Sequence, residues 1–474
     1  MKVGFLDEEF NVEVVGAGYM GLTGHGCLPS TRRPPVTCVD KNEQRVAELR
    51  EGRMPIYEPG LEELVAGGVR QGRLRFSTDL PEAVREANVL FVTVDTPQGD
   101  DDSADLSSVG TVGRSVGRAL AASEGRRERP MIVVNKSTVS VGSGDHVSML
   151  IQEGAAEESP SGNSGAPVAD DYRVVSNPEF LREGSAVYDS FFPDRIVLGA
   201  EKRDTLHTMR ALYEPIIQQT FLTEMDPRPV VAVPFVATDI VSAEMIKYAA
   251  NAFLAAKISF INEIATICEL VGADVKSVAR GIGLDERIGS RFLSPGIGWG
   301  RSCFPKDVAA LRSIAREYDH EPVLLDAAVA VNEGQRKRVI AKLQRELHTL
   351  KGRRVALLGL SFKPNTDDLR EAPSLQIAKD LEKRGARAVG YDPVAGKKAK
   401  GLAPALKVVF DPYEALSGAH AAVVVTEWEE IRTTDLQRGA TLMEPPKLLV
   451  DGRNHLDAGA AAAAGLLYRG FGRA

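Results

Sequence analysis

Cysteine is scarce and scattered in this chain. Four cysteines occur in 474 residues, and no two of them form a CxxC pair. Neither a disulfide framework nor a zinc site is therefore indicated, and we expect no bound metal. The chain also lacks an apolar run long enough to span a membrane, and its N-terminus lacks a basic region followed by an apolar core. We expect a reduced, soluble, cytoplasmic protein.

Long basic stretches are missing as well. The formal net charge is −7, from 58 Lys and Arg against 65 Asp and Glu. This balance disfavours nucleic acid as a partner. The composition, 43% hydrophobic and 26% charged, is that of an ordinary globular protein, and the length allows two or three domains.

What the sequence does contain is a glycine motif in a suitable context. The apolar strand Val12–Val15 leads into "GAGYMG", and a second strand, "VTCVD", ends at Asp40. Gly16 would permit the tight turn, Gly18 a close approach to a pyrophosphate, and Gly21 close helix–strand packing. Asp40 would accept hydrogen bonds from a ribose and repel the extra phosphate of NADP, so NAD is favoured. The alternative is a glycine turn in some other α/β unit.

Further apolar strands alternate with helical stretches, and their near-continuous apolar character indicates a parallel sheet covered on both faces. Polar motifs follow several strand ends, and together they indicate one crevice at the carboxyl edge of the sheet, although each alone could be a turn. Residues 153–171 are rich in Ser, Gly and Pro and predict a solvated loop. The four strands are predicted at 88–94, 131–137, 172–178 and 195–199, and the polar motifs are "DTPQ", "KSTV" and "NPEFLREG".

Residues 239–273 contain no proline and carry apolar residues at helical intervals, which predicts a long, partly buried helix. Lys247 and Asn251 are four positions apart and therefore share a face. On a surface helix such a pair has no special meaning. In this apolar stretch, the lysine needs a partner or a function.

A second α/β pattern begins after about residue 350 and lacks a GxGxxG motif, so we do not expect a second NAD there. Lys363, Arg370 and Arg453 fall near its strand ends. They are suitable donors for a phosphorylated or polyhydroxylated ligand. The alternative is solvated surface charge, which is the usual state of these residue types.

The segment "GRSCFPKD", residues 300–307, raises the question of whether Cys303 is a nucleophile or a small buried residue. Pro305 suits the first position of a helix, and the following residues have helical spacing. Cys303 would then lie just before a helix N-terminus and near Lys306. Both features favour a thiolate, but the segment alone leaves the two interpretations open.

The complete set of motifs resembles the UDP-glucose/GDP-mannose dehydrogenase family, and the middle helix is most similar to its UDP-glucose branch. The resemblance covers nearly the whole chain. It rests on "GAGYMG", "YEPGLEEL", "KSTVSVG", "NPEFLREGSAV", "DRIVLG", "KYAANAFLAAKISFINEIA", "GRSCFPKD", "SFKPNTDDLREAPS" and "DGRN".

The resemblance implies an α/β fold of two Rossmann-like doubly wound domains joined by a long central helix and a helical dimerisation region. We expect the NAD-binding domain at 1–235, the central region at 236–345 and the sugar-nucleotide-binding domain at 346–474. The implied reaction oxidises C6 of a nucleotide-linked glucose to the acid with two NAD⁺ per turnover. A thiohemiacetal and then a thioester form on Cys303, because the second oxidation needs an adduct from which a hydride can leave. The implied partners are a sugar nucleotide and a second copy of the chain, with no nucleic acid and no membrane.

The resemblance also implies a catalytic set with distinct roles. Lys247 would stabilise the oxyanion that forms when Cys303 adds to the aldehyde, with Asn251 beside it. Asp307 would position water and assist proton transfer. Glu179 would act in thioester hydrolysis. The full set is Cys303, Lys247, Asn251, Asp307, Thr138 and Glu179.

Two sets of binding residues follow from the same resemblance. Arg287 would reach the site of a neighbouring subunit. The cofactor set is Gly16, Gly18, Tyr19, Met20, Gly21, Asp40, Asp95, Thr96, Pro97, Thr138, Glu183, Lys306 and Arg370. The substrate set is Glu179, Phe180, Leu181, Arg182, Glu183, Lys247, Asn251, Arg287, Phe292, Ser294, Gly296, Gly298, Gly300, Phe362, Lys363 and Arg453.

This chain departs from the family pattern at a few positions. Arg301 stands where the family usually has glycine before Ser-Cys, Ser140 and Ser143 replace the usual Pro and Thr, and prolines should end the first helix early. Residues 1–10 are not explained by the motif. The alternatives that stay open are oxidation of dTDP-glucose, oxidation of GDP-mannose or a UDP-N-acetylhexosamine, and a non-catalytic relative that only binds NAD or a sugar nucleotide.

Overall fold

The computed structural model describes residues 10–26, 36–99, 104–123, 127–139, 141–158, 168–221, 231–300, 303–404 and 406–473. The chain divides into two compact units, residues 1–249 and 250–474. Residues 1–9, the prolines after the first helix, Cys27, Ser140, Arg301 and Ser302 lie outside the described residues, as does the side chain of Cys303.

The first unit is built on an eight-stranded sheet in the order β3-β2-β1-β4-β5-β6-β7-β8. The strands are short and mostly buried because helices cover both faces. Val14 packs into the core on one face of the sheet, and its neighbour Val15 packs into the core on the other. The strands are β1 (Val12–Val15), β2 (Val36–Val39), β3 (Leu74–Ser77), β4 (Val89–Val92), β5 (Met131–Asn135), β6 (Tyr172–Ser176), β7 (Ile196–Ala200) and β8 (Phe235–Thr238).

One part of the predicted parallel sheet is wrong. β7 pairs antiparallel with β6, through Val175 with Ala200 and Ser176 with Gly199, while β7 and β8 are parallel to each other. The carboxyl end of β7 therefore lies at the opposite edge of the sheet from the ends of β4, β5 and β6. The motif after β6 keeps its predicted place at the carboxyl edge.

Eight helices of the first unit precede the long central helix among the described residues. α6 continues to Glu158, and residues 168–170 form a 3-10 turn, so the predicted loop at 153–171 is too long at both ends. The eight are α1 (Tyr19–Gly26), α2 (Glu43–Arg50), α3 (Leu61–Arg70), α4 (Leu80–Glu86), α5 (Ser107–Ala121), α6 (Ser143–Glu158), α7 (Ala186–Phe191) and α8 (Arg203–Ile217).

The predicted long helix is present as α9 (Ile240–Val271), 32 residues without interruption. The division between the two units falls inside it, so its first turns belong to the first unit and the rest to the second. It is followed by α10 (Val275–Gly283), α11 (Cys303–Glu317) and α12 (Val323–Leu347). No helix in the described ranges combines the length and the apolar character that crossing a bilayer requires.

Helix α11 begins at Cys303 rather than at Pro305. The cysteine is thus the first residue of the helix and not a residue before it, which corrects the predicted start. Proline is tolerated at the third position because the first N–H groups of a helix have no intrahelical acceptor.

The second unit contains a six-stranded, fully parallel sheet in the order β11-β10-β9-β12-β13-β14. Its strands are β9 (Arg354–Leu358), β10 (Arg387–Tyr391), β11 (Lys407–Val409), β12 (Ala421–Val424), β13 (Leu448–Asp451) and β14 (Leu467–Arg469). Its helices are α13 (Pro373–Lys383), α14 (Gly396–Leu402), α15 (Pro412–Leu416), α16 (Glu429–Arg432), α17 (Leu436–Leu442) and α18 (Ala458–Ala463). The chain thus contains two Rossmann-like sheets, as expected.

Candidate active site

The glycine turn after β1 has the backbone geometry that a dinucleotide motif needs. Gly16 has φ +110° and donates its N–H to the carbonyl of Val39 at 2.8 Å. A Cβ at Gly21 would lie 1.9 Å from the carbonyl oxygen of Gly16, so only glycine allows this approach of α1 to the turn. A Cβ at Gly18 would meet no atom within 4 Å, which leaves space beside the turn.

Asp40 stands directly after β2 and is held in place by three donors. Its Oδ2 accepts the N–H of Ala17 at 2.9 Å, and its Oδ1 accepts the N–H of Asn42 at 2.9 Å. Arg45 approaches Oδ2 at 3.0 Å. The carboxylate is therefore fixed beside the glycine turn, where a ribose of a bound dinucleotide would need an acceptor. Glycine turn and carboxylate together fit NAD.

The polar motifs after β4 and β5 meet, as their positions at one sheet edge predict. Thr96 donates its hydroxyl to the carbonyl of Thr138 at 2.7 Å, and Ser137 donates to the carbonyl of Val94 at 2.7 Å. Asp95 and Pro97 belong to the same segment. These contacts bring predicted cofactor residues and Thr138, a member of the predicted catalytic set, together at one edge of the first sheet.

Glu179 lies in a buried polar cluster at the same edge. Its Oε2 pairs with Lys136 Nζ at 2.6 Å, and the two side chains are 14% and 8% exposed. Its Oε1 accepts the backbone N–H groups of Phe180 at 2.7 Å and Leu181 at 3.1 Å. Burial acts to lower the pKa of Lys136, but the charges and hydrogen bonds of Glu179 and Tyr213 together outweigh burial, and the pKa is raised. Lys136 thus stays an ammonium although it is buried.

The ammonium of Lys247 donates to the backbone carbonyl of Glu179. It also lies 5.3 Å from the ring centre of Phe180, and the guanidinium of Arg195 lies 3.7 Å from the same ring. The buried lysine of α9 therefore has the partner that its apolar surroundings require. Two predicted site residues, Lys247 and Glu179, are in direct contact.

Two other predicted residues of this loop have different surroundings. Arg182 directs its guanidinium to Asp189 of α7, with Nε at 2.9 Å from Oδ2. Glu183 is buried, 4% exposed. Their roles toward a ligand remain predictions.

Glu58 is a residue that sequence reasoning missed, although its motif "YEPGLEEL" was noticed. Its carboxylate accepts the N–H of Gly184 at 2.6 Å and the N–H of Ala186 at 2.7 Å. The hydroxyl of Tyr19, in the first turn of α1, donates to the same carboxylate. Glu58 therefore links the glycine-turn helix to the loop after β6. The one indication in the sequence was the acidic residue itself, in a motif to which no function was assigned.

Glu244 was also missed, and it lies one turn before Lys247 in α9. Its Oε2 accepts the N–H of Gly142 at 2.7 Å, at the start of α6. Burial raises the pKa of Glu244 to about 7, although hydrogen bonds from the backbone at 142–144 oppose the shift. This carboxyl group fixes the end of the segment that carries Thr138.

In the second unit, Asp307 is fully buried and binds two other predicted residues. Asn251 donates its side-chain amide to Asp307 Oδ2 at 2.5 Å, and Lys306 Nζ lies 2.8 Å from Oδ1. The structure thus brings together three of the predicted residues around the start of α11. Because Asp307 neutralises Lys306, this lysine is not a free positive charge.

The loop at 294–300 contains three glycines that each lie against another segment. A Cβ at Gly296 would be 2.5 Å from the carbonyl of Gly452, and a Cβ at Gly300 would be 2.4 Å from the carbonyl of Glu371. Gly298 has φ +91°, and a Cβ there would be 2.4 Å from Asn332 Oδ1. The glycines are therefore needed for close packing of the predicted substrate loop.

Two buried asparagines that sequence reasoning missed hold this loop. Asn332 accepts the N–H of Trp299 at 2.7 Å and donates to its carbonyl at 2.9 Å. Asn262 accepts the N–H of Gly296 at 2.8 Å. Each asparagine is more than 30 positions away from its partner, so no local pattern could have indicated the contact.

Arg453 joins three segments of the second unit. Its guanidinium donates to the carbonyls of Val425 at 2.8 Å, Gly298 at 3.3 Å and Phe362 at 3.5 Å. It also approaches Glu427 at 3.2 Å. The structure therefore collects predicted substrate residues from the glycine loop and from the second sheet.

The remaining predicted residues lie nearer the surface. Arg287 pairs with Asp285 and its side chain is 89% exposed, and Arg370 pairs with Asp368 and is 56% exposed. Lys363 Nζ lies 5.6 Å from the ring centre of Phe362. Phe292 has φ +64°, and its ring centre is 6.4 Å from that of Phe304.

The second sheet has a turn and carboxylate like those of the first, but its carboxylate is already occupied. Gly359 has φ +90°, and Asp392 follows β10. Asp392 Oδ2 accepts the N–H of Ser361 at 2.9 Å, the hydroxyl of Ser361 at 3.0 Å and the indole N–H of Trp428 at 3.1 Å. Asp392 is 1% exposed, so it offers no accessible acceptor to a ribose.

Comparison with known proteins agrees with this geometry. The model of the family's NAD-binding domain matches residues 10–217, that of the central domain matches 241–334, and that of the UDP-binding domain matches 356–458. This chain belongs to the UDP-glucose/GDP-mannose dehydrogenase family. It is an NAD-dependent oxidoreductase with a domain for a sugar nucleotide.

Similar proteins span the whole chain. It is 43% identical over 98% of both chains to UDP-glucose 6-dehydrogenase YwqF of Bacillus subtilis, and 43% identical over 98% of this chain and 99% of the other to UDP-glucose 6-dehydrogenase of Rhizobium meliloti. A solved UDP-glucose dehydrogenase from Pyrobaculum islandicum is 35% identical, with a TM-score of 0.85 over 100% of both chains.

Proposed function

We propose that the protein oxidises C6 of UDP-glucose in two successive NAD⁺-dependent steps and releases UDP-glucuronate. The observation that carries the proposal is the grouping of predicted catalytic residues. Lys247 contacts Glu179 in the first unit, and Asn251 contacts Asp307 beside the start of α11 in the second. Similarity to UDP-glucose 6-dehydrogenases over 98% of the chain supports the choice of substrate.

Each group has a task in this chemistry. When bound, NAD⁺ accepts the hydride that leaves C6 in each oxidation. The thiolate of Cys303 attacks the aldehyde carbon, and Lys247 stabilises the oxyanion that forms. Loss of hydride from the thiohemiacetal leaves a thioester. Thr138 and Asp307 then order a water that attacks the thioester carbon, and Glu179 accepts a proton from this water. The C–S bond breaks, Cys303 leaves as thiolate and the acid departs.

Several features of the chain support binding of the sugar nucleotide by the second unit. The glycine loop at 294–300 is closed against other segments, and Arg453 is anchored beside it by three backbone carbonyls. Its guanidinium keeps donors in a fixed orientation, which suits phosphate and hydroxyl groups. In this proposal, the second unit also contacts the sugar nucleotide through Phe292, Phe362 and Lys363.

We also propose a homodimer formed through α9. Phe253, Phe260 and Ile267 stand seven positions apart on this helix and are 67%, 52% and 47% exposed. Residues at this spacing form one stripe along a helix, and exposed apolar stripes of this kind mark interaction surfaces. Sedimentation should give twice the chain mass, and Phe260→Glu should shift it toward the monomer, whereas Glu263→Gln should not.

The stoichiometry of NADH decides the catalytic proposal. We expect two NADH and one UDP-glucuronate per UDP-glucose, measured by absorbance and by mass spectrometry of the product. One NADH with free aldehyde would refute the four-electron reaction. UDP-glucose, dTDP-glucose, UDP-N-acetylglucosamine and GDP-mannose should be compared by kcat/KM. A higher value for any of the last three would overturn UDP-glucose as the substrate.

A further inference from the structure

A lysine outside the proposed catalytic set lies at the centre of the cluster around Glu179. Lys136 follows β5 and is 7% exposed. Its ammonium pairs with Glu179 Oε2 at 2.6 Å and donates to Asn177 Oδ1 at 3.3 Å. A lysine is kept charged at such a site only when its partners compensate for lost hydration, so this side chain is built into the cluster.

The partners of Lys136 are themselves fixed by the fold. Tyr213 of α8 donates its hydroxyl to Asn177 Oδ1 at 2.6 Å, and the amide of Asn177 donates to the carbonyl of Val197 at 2.8 Å. Three strands, β5, β6 and β7, and the helix α8 thus converge on one ammonium. Its position is determined by buried hydrogen bonds rather than by flexible surface contacts.

The same pairing determines what Glu179 can do. An ionised carboxylate has about four acceptor sites, and three are filled here, by Lys136 and by the N–H groups of Phe180 and Leu181. One site is left to accept a hydrogen bond from water. The backbone carbonyl of Glu179 meanwhile receives the ammonium of Lys247.

We propose that Lys136 is a positioning residue for thioester hydrolysis, which holds the carboxylate of Glu179 oriented toward the attacking water. This rests on the proposed function. In the step, the oxygen of water bonds to the thioester carbon and one proton passes to Glu179. The C–S bond breaks, and its electron pair returns to Cys303 as thiolate. The second proton of water ionises from the product acid.

The experiment separates hydrolysis from the oxidations. Enzyme is mixed with NAD⁺ and UDP-glucose, and the burst of NADH, the release of UDP-glucuronate and the intact mass of the protein are followed from pH 5.5 to 9. In Lys136→Gln we expect the burst within threefold of the parent, acid release slower by tenfold or more, and an acyl adduct on the protein. The ratio of the hydrolysis rate to the burst rate should fall throughout this pH range.

Three further variants test the connection through Glu179. Lys136→Arg keeps the charge and should recover most of the hydrolysis rate. Tyr213→Phe removes a hydroxyl that hydrogen-bonds Asn177 and Lys136 but leaves the ion pair with Glu179, so it should lower the unfolding midpoint while hydrolysis stays within threefold of the parent. Adding Lys136→Gln to Glu179→Gln should slow hydrolysis no further, because the lysine acts through that carboxylate.

The results also distinguish this inference from the proposed function. If Lys136→Gln slows burst and hydrolysis equally, the positioning role is overturned while the two-NADH stoichiometry of the parent stands. If the parent produces only one NADH and no acid, the proposed function fails first. Additive losses in the double variant would likewise overturn action through Glu179.

Discussion

Asn251 of α9 donates its side-chain amide to Asp307 in the second turn of α11, at 2.5 Å. Because a carboxylate only accepts, this contact fixes which end of the Asn251 amide faces Asp307. Lys306 compensates the same carboxylate at 2.8 Å. The three side chains therefore have defined orientations at the helix that begins with Cys303.

Replacing the charge of Asp307 should be costly for catalysis. Asp307→Asn keeps the shape but removes the charge that orders water and assists proton transfer, so we expect kcat to fall by about 10²- to 10⁴-fold with a smaller change in KM. Steady-state NADH formation measures this. Asp326→Asn is the control, since Asp326 of α12 pairs with Arg312 and Arg316 of α11 and belongs to none of the predicted sets. A normal kcat in Asp307→Asn would contradict the assigned role.

Cys303→Ala should abolish acid formation. No thiohemiacetal can form without the thiol, so product analysis should show no UDP-glucuronate, and no acyl adduct should appear by mass spectrometry. Cys268 is buried in the apolar cluster around Ile261 and Val275, and Cys268→Ala should therefore keep the two-NADH stoichiometry. Undiminished acid release from Cys303→Ala would exclude the covalent route.

Asp40 should determine the preference for NAD⁺. Asp40→Asn removes the charge that repels a ribose 2′-phosphate, so the ratio of kcat/KM for NAD⁺ over NADP⁺ should fall by tenfold or more. The asparagine side chain still offers an oxygen to the N–H of Ala17, so the fold should persist. Asp79→Asn, at the cap of α4, gives a matched control that should leave the ratio unchanged. A parent enzyme that prefers NADP⁺ would contradict the assignment.

The sequence predicted elements whose signals are local. The glycine turn with Asp40 and the long helix α9 carry local periodicity or spacing, and both were found. The direction of β7 was not predictable, because "IVLGA" is buried in either orientation and only its two paired residues with β6 define the antiparallel contact. β8 was missed, since Val236 and Ala237 are exposed and the strand carries no clear alternation.

The residues of the site likewise fall into those that local motifs predict and those that they do not. Residue types with chemical functions, such as Asp307 and Glu179, could be named from motifs. Their supports could not, because Glu58 and Asn332 act on backbone groups far away in the chain. Such contacts depend on tertiary packing, which cannot be inferred from the spacing of residues in the sequence.

Gly298 should not tolerate a side chain. Gly298→Ala introduces a Cβ at φ +91° and 2.4 Å from Asn332, so we expect a loss of stability of about 1–3 kcal/mol and a higher KM for UDP-glucose. Gly281→Ala in α10 is the control, because a Cβ there meets nothing within 4 Å. That change should raise stability by about 0.5–1 kcal/mol through helix propensity. Urea unfolding and initial rates measure both effects, and equal stability of the two variants would contradict the packing argument.

Glu244 should make stability depend on pH in a defined direction. Burial raises its pKa in the folded protein to about 7, whereas an unfolded chain has about 4.3. Between these values the folded state binds more protons than the unfolded state, so the contribution of Glu244 to stability is present below about pH 4 and is lost as the pH rises through 7. The loss is on the order of 3 kcal/mol, from about 1.4 kcal/mol per pKa unit.

Glu244→Gln keeps an acceptor for Gly142 but cannot ionise. The variant should therefore gain in urea midpoint relative to the parent as the pH rises from 5 to 8. Glu153→Gln removes a surface carboxylate from α6 and should give a constant gap. A gap that stays constant for Glu244→Gln as well would mean that this carboxyl group is already ionised at pH 5.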